Sequence, residues 1–284
     1  MNNILISSDM SSLPRSGLLY ALHLMKGRKT NFYFETISAK QRLFERPDYD
    51  ESQLNCLQFA IKQELNHLQK KIRNFFPAED YKLHILNSPE DLRRIKAQFS
   101  LAILEAGNKT LNNLAALAKL YAGLKMPFLA LPDIAKPRLP KNLLLIAEPG
   151  VRVSTATLAP VKKIFGNFSF SLEIHKIYPG KVNAQQAKID SFRLKELLNI
   201  YHPAVKAFSQ QEYRFSTLHD AQNFDLRLLP QDEHSLQRKM NNPAFANFLS
   251  STKVPVLISP KPENEVVPAF KRTRNTTKSS FLKP

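Results

Sequence analysis

The sequence predicts an α/β protein in which helices cover a parallel sheet. Three observations predict it. Short apolar runs alternate with helical periodicities from Ile4–Ser8 to Val254–Ser259, and parallel strands need the crossover connections that such an alternation supplies. The pattern is written twice. Asn3-Ile4-Leu5-Ile6-Ser7-Ser8-Asp9 returns in outline 139 positions on as Asn142-Leu143-Leu144-Leu145-Ile146-Ala147-Glu148, and Pro127-Phe128-Leu129-Ala130-Leu131-Pro132 returns 128 positions on as Pro255-Val256-Leu257-Ile258-Ser259-Pro260. A repeat of this length is a duplicated domain, well beyond the roughly 20–50 residues of a solenoid unit. The length agrees: 284 residues, 43% of them hydrophobic, suit two cores of about 140 residues each.

In the first copy, Ile4 to Ser8 ends at Asp9, as a buried strand does. Ser11 or Ser12 can cap a helix whose Leu18, Ala21, Leu22 and Met25 share a face, and Gly27 stops it. Asn31 to Ile37 reads as the second strand. Leu54, Leu57, Ile61, Leu65, Leu68, Ile72 and Phe75 recur every three or four residues, which predicts a long amphipathic helix. Tyr81 to Leu86 is the third strand, and Ser88-Pro89-Glu90-Asp91 opens a short helix. Leu101 to Glu105 is the fourth strand and leads to Gly107; Leu111, Leu114, Ala118 and Tyr121 mark a helix, and Phe128 to Leu131 the fifth strand.

The linker Asp133 to Lys141 is stiffened by Pro137 and Pro140. Beyond it come a strand at Leu143 to Ala147, a helix near Val153 to Phe165, a strand at Phe168 to Ile177 and a helix at Ala187 to Tyr201, ended near Pro203. Strands at Tyr213 to Leu218 and Asp225 to Leu229, a helix from Leu236 to Leu249 and the strand Val254 to Ser259 complete the copy. The expected units are therefore residues 1–135 and 141–260, followed by a basic tail, 261–284, without apolar periodicity.

Charge is the compositional anomaly: 41 Lys and Arg against 24 Asp and Glu leave +17, enough to attract polyanions or anionic surfaces. It is spread along the chain, with 20 basic and 13 acidic residues in 1–138 and 21 and 11 in 139–284. No apolar run approaches the roughly 18–20 residues of a membrane span, and the N-terminus lacks the pattern of a cleaved leader, so a cytoplasmic location is expected. One cysteine, Cys56, excludes an internal disulfide and any multi-cysteine metal site, and reads as a small residue flanking the core. There is no G-x-x-x-x-G-K-[ST], no G-x-G-x-x-G and no G-x-S-x-G elbow. Glu90-Asp91 and Asp232-Glu233 stand where helices start and complement the helix dipole there.

Two copies of this order, with Asp9 closing the first strand and Pro127 and Pro255 opening the last ones, resemble tandem universal stress proteins. Ile4-Leu5-Ile6-Ser7-Ser8-Asp9-Met10-Ser11 and Leu101-Ala102-Ile103-Leu104-Glu105-Ala106-Gly107 carry the likeness, with Met126-Pro127-Phe128-Leu129-Ala130-Leu131 and Val254-Pro255-Val256-Leu257-Ile258 as the closing strands. The resemblance implies two flavodoxin-like domains, each a five-stranded parallel sheet of order 3-2-1-4-5 flanked by helices. It also implies pairing of the fifth strands into an internal pseudo-dimer, with a homodimer as a further option.

Many members of that family bind ATP through a loop after the fourth strand: Gly, two residues, Gly, nine residues, Gly, then Ser or Thr. Glycines let backbone N–H groups close on phosphates. Here Gly107 stands first, but Thr110 follows three residues on, and Leu120-Tyr121 replace the final pair. In the second copy Leu229 is followed by Pro230-Gln231-Asp232, and no glycine occurs after Gly180. The expectation is a sensing or adaptor protein of stress physiology, non-catalytic and without a cofactor, that binds a protein partner or small ligand. The ligand crevice of an open α/β sheet lies beyond the carboxyl ends of its strands where the strand order reverses. That places Ser8, Asp9, Ile37 and Gly107 at it in the first copy, and Glu148, Ile177 and Pro230 in the second. Two alternatives stand beside this reading. One is nucleotide binding in the first copy, with Asp9 at the ribose and Lys109 at the phosphates. The other is non-specific nucleic-acid binding through the basic surface and Lys271, Arg272, Arg274, Lys278 and Lys283 of the tail.

Overall fold

The structure, a computed structural model, describes residues 2–7, 15–35, 51–73, 81–86, 95, 99–105, 126–132, 139–166, 169–213, 223–231, 239, 245, 248–249 and 253–260. The helices expected at 88–91 and 111–121 and the tail lie outside the described residues, as does most of the one at 236–249.

The first half runs β1 (Asn2–Ser7), α1 (Arg15–Leu24), β2 (Thr30–Glu35), α2 (Glu51–Arg73), β3 (Tyr81–Leu86), β4 (Leu101–Glu105) and β5 (Phe128–Leu131). The second runs β6 (Asn142–Ala147), a 3-10 turn (Thr155–Leu158), α3 (Ala159–Phe165), β7 (Ser171–Tyr178), α4 (Ala184–Leu197), a second 3-10 turn (Asn199–Tyr201), β8 (Ala204–Ser209), β9 (Leu226–Gln231) and β10 (Val256–Pro260). These strands form one ten-stranded sheet of order β3-β2-β1-β4-β5-β10-β9-β6-β7-β8. Each half of that sheet is parallel and has the expected order 3-2-1-4-5, flavodoxin-like in topology.

The halves meet through β5 and β10, which pair antiparallel with Val256 opposite Ala130, Leu257 opposite Leu129 and Ile258 opposite Phe128. The 128-residue offset of the repeat makes Leu257 the counterpart of Leu129. Each therefore faces its own equivalent, and the flanking pairs exchange under the same rotation. This is the self-complementary register of a twofold interface, here within one chain.

Cores lie on both faces of the sheet. On one, Leu18 and Ala21 of α1 and Val161 and Ile164 of α3 pack with Ile4, Ile6, Leu143, Leu145, Leu228 and Leu257. On the other, Leu144, Ile146 and Ile258 pack with Phe99, Phe245 and Phe248. Period-2 alternation along β6 assigns these faces. The ends of α3 and α4 follow from their sequences. Pro160 occupies the first turn of α3, and Gly166 ends it at φ +85°. Asn183 caps α4 by accepting from the N–H groups of Gln185 and Gln186 at 2.9 and 3.2 Å. Arg28, in the turn after α1, donates to the Ile164 carbonyl at 3.1 Å, tying the first half to the end of a helix in the second.

Three expectations need correction. The third strand of the second half is Ala204–Ser209; Tyr213 stands outside any strand, and the rest of the strand expected at Tyr213 to Leu218 lies outside the described residues. Pro203 ends the preceding helical stretch, and the very next residues pair with β7. The expected helix at 187–201 begins at Ala184 and becomes a 3-10 turn at Asn199, because Asn183 caps it earlier than its apolar residues suggest. Cys56 is exposed on α2 rather than flanking the core.

Candidate functional site

Strand order reverses between β6 and β9, and their carboxyl ends form the crevice of the second half. Glu148 follows β6 directly. A turn holds it there: the Val151 N–H donates to the Glu148 carbonyl at 2.9 Å across Pro149 and Gly150, and Gly150 has φ +79°. Proline then a left-handed glycine is the type II arrangement. At the other end of the strands, the Asp225 carboxylate accepts from the N–H groups of Lys141 and Asn142 at 2.9 and 3.0 Å. This clamps the start of β6 to that of β9 and fixes which side chains meet at the top.

Those side chains are the chain's own. Gln231, buried at the end of β9, donates to Glu148 Oε2 at 3.2 Å. The Lys239 ammonium pairs with Glu148 Oε1 and lies 5.7 Å from the Phe245 ring centroid. An acid, an amide and an ammonium thus lock together across the crevice. Pro230 and Ile177, both expected near it, are buried in the strands beneath.

Below this latch, on the same face, a chain of polar groups runs from the edge of the sheet inward. Lys206 Nζ on β8 lies 2.7 Å from Glu173 Oε1 on β7. The same oxygen is 2.6 Å from His175 Nε2, and His175 Nδ1 is 3.2 Å from the Tyr213 hydroxyl. Glu173 and His175 project to one face because they are two residues apart on a strand. Phe208 and Tyr213 wall the imidazole, with centroids 4.8 and 5.7 Å away. Burial would raise the Glu173 pKa, but hydrogen bonds from Lys206 and His175 outweigh it and hold the carboxyl low. Burial depresses His175 despite Glu173 beside it, so its neutral form is favoured. A neutral ring donating from Nε2 to Glu173 accepts the Tyr213 proton at Nδ1. Burial pushes the Tyr213 phenol well up, against the opposing field of Arg227.

Arg227, the second residue of β9, is 2% exposed on this face, with its guanidinium carbon 5.5 Å from the Phe248 ring centroid. Burial brings its pKa down to about 10. Register places it against Leu144, where the first half has Ala102 against Leu5. The cation is thus a feature of the second half's core.

Ser8, Asp9, Ile37, Gly107 and Lys109, the first-copy candidates, lie outside the described residues. Of the second-copy set, the structure brings Glu148 into a polar cluster and leaves Ile177 and Pro230 as core. Sequence reasoning missed Gln231, Lys239, His175, Tyr213 and Arg227. A signal existed for two of them: Arg227 interrupts the apolar run Leu226-Arg227-Leu228-Leu229, and His175 falls among the apolar residues of a strand. Among the described residues, no three His, Cys, Asp or Glu side chains gather as a metal site. None of the described helices is long and apolar enough to cross a membrane.

No family model matches the sequence, and no curated protein matches it. Solved structures share its fold. A universal stress protein from Archaeoglobus fulgidus DSM 4304 aligns with a TM-score of 0.63 at 13% identity, covering 92% of this chain and 96% of that one. The cytoplasmic domain of a prokaryotic cation chloride cotransporter aligns with a TM-score of 0.53 at 14% identity, covering 93% and 97%. The chain has the universal stress protein fold over nearly its whole length.

Proposed function

We propose that this chain, with the fold of universal stress proteins, is a non-catalytic sensing or adaptor protein that acts in stress physiology by binding a partner or small ligand. Fold alone does not choose a function, and the two neighbours are described in different settings. The observation that carries the reading is the Glu148–Gln231–Lys239 latch. Where a nucleotide-binding relative would place a flexible glycine loop, this chain places Pro230-Gln231-Asp232, and a buried amide and an ion pair join the strand ends. Two described carboxylates of this face already hold cations: Glu173 has Lys206, and Glu148 has Lys239. A general base needs a carboxylate or imidazole within reach of substrate, and these are spent on internal bonds.

A second reading rests on the first half, whose sequence keeps Asp9 and Gly107: nucleotide binding there through an atypical loop. Thermal-shift titration with ATP, AMP and Mg²⁺ alone, on the chain and on Asp9→Ala, separates the two. A ligand at 100 times its Kd adds about 2.7 kcal/mol to native stability. The expected result is no shift at millimolar nucleotide. A saturable shift that Asp9→Ala abolishes overturns the adaptor reading in favour of a nucleotide sensor.

A further inference from the structure

We propose that the outward ridge of α4 and the turn after it is a docking surface for an anionic lipid bilayer. Ile189, Phe192, Leu197 and Ile200 are 41%, 62%, 49% and 66% exposed. On the inward side of the same segment, Leu194 and Leu198 are buried in the core. At about 100° per residue, Ile189 and Phe192 lie on the side away from Leu194 and Leu198. The helix therefore satisfies the core with one face and carries exposed apolar side chains on the other that the fold does not use. Single exposed apolar residues are ordinary, but four within twelve residues make a patch.

Charge selects the occupant. Lys188 and Lys195, seven residues apart, line one side of the ridge; Arg193 and Glu196 sit within it, and Lys181 precedes the helix, all exposed. At the far end the Lys162 ammonium lies 5.1 Å over the ring of Tyr201, next to Ile200. Of the two acids on the helix, Asp190 is half-buried and accepts from the Tyr178 hydroxyl at 2.8 Å and from Gln186 at 2.9 Å, leaving Glu196 as the exposed one. Two copies of this surface set face to face would oppose like charges. A convex ridge offers no groove to a peptide helix. A basic-rimmed apolar helix face is what lies in the interface of an anionic membrane, ring and aliphatic side chains among the acyl boundary and ammonium groups among the headgroups. This is peripheral attachment.

Flotation of the full chain with phosphatidylglycerol–phosphatidylcholine vesicles, against phosphatidylcholine alone, tests it. The expected result is binding to the anionic vesicles that falls steeply with salt. Phe192→Ser with Ile200→Ser should weaken it about tenfold or more, and Lys188→Glu with Lys195→Glu by a similar factor. All four side chains are exposed, so unchanged thermal midpoints are expected and serve as the folding control. Changing Lys271, Arg272 and Arg274 to Gln should leave most of the binding. Equal affinity for neutral vesicles, no binding at all, or binding lost only in the tail variant overturns the proposal. A concentration-dependent dimer abolished by Phe192→Ser also overturns it, in favour of a second copy.

Discussion

The pair Leu129 and Leu257, at the centre of the sheet, gives a quantitative test of whether the two halves are one folding unit. Both side chains are fully buried, face each other across the antiparallel seam and belong to the same core. Leu257→Ala removes three carbons, or about 2.4 kcal/mol at 0.8 kcal/mol per buried group. If about 40 Å³ of the vacated space stays empty, the cavity adds about 1 kcal/mol. The expected cost is about 3.5 kcal/mol, read from urea denaturation followed by circular dichroism. Leu129→Ala should cost the same by symmetry. The double variant should cost less than the two together by at least about 0.5 kcal/mol, since both truncations open one shared space. Leu19→Ala, 45% exposed on α1, is the control and should stay within about 0.5 kcal/mol of the parent. Single costs below about 1 kcal/mol, or strict additivity, would refute the seam as a packed, shared core.

Three further outcomes are expected. Gly166→Ala meets both a left-handed backbone at φ +85° and the Arg28 guanidinium where its Cβ would stand, so it should cost about 1–2 kcal/mol or more in thermal unfolding, while Gly180→Ala, in open space, should be neutral. Arg227→Met removes a buried, partnered cation from the register position that Ala102 holds in the first half and strands the polar groups that face it; its melting temperature should fall, since a buried polar group left unpaired costs about 1–3 kcal/mol. Urea stability measured from about pH 8 down to about pH 4 should fall with acid. The unfolded imidazole of His175 binds its proton at a higher pH than the folded one, so its contribution is present above the ordinary histidine pKa of 6.5 and lost as pH falls through the folded value. Glu173, held low when folded, contributes above its ordinary 4.5 and is lost below that. His175→Gln should flatten the upper part of the curve and leave the lower part.

The strand order was legible because apolar runs such as Leu143 to Ala147 are buried on both faces and have no competing helical period. The seam lies at the fifth strands, where the family resemblance implied it, with a homodimer as the other option. Strand β8 was not legible: only one of its six residues is buried at the edge of the sheet, so Ala204-Val205-Lys206-Ala207-Phe208 lacks the apolar density that marked its neighbours. The latch was half legible. Glu148 stood out as the counterpart of Asp9, but Lys239 comes from a segment about 90 residues away and Gln231 looks like any loop amide. Only the pairing of β6 with β9 makes them neighbours. The His175–Glu173 spacing was visible, whereas its meaning depended on Tyr213, which sequence alone assigned to a strand.

The seam also decides how the molecule meets its surroundings. Because β10 runs against β5 while each half is parallel, the carboxyl ends of the two sets of strands point in opposite directions. The molecule is two-headed, with each crevice opening at its own pole, about one strand length (roughly 20 Å) from the other along the strands and about 19 Å across the sheet. Occupants of the two heads would not collide, and neither could reach the other's pole without rounding the sheet. An ordinary side-by-side duplication would instead open both mouths on the same side.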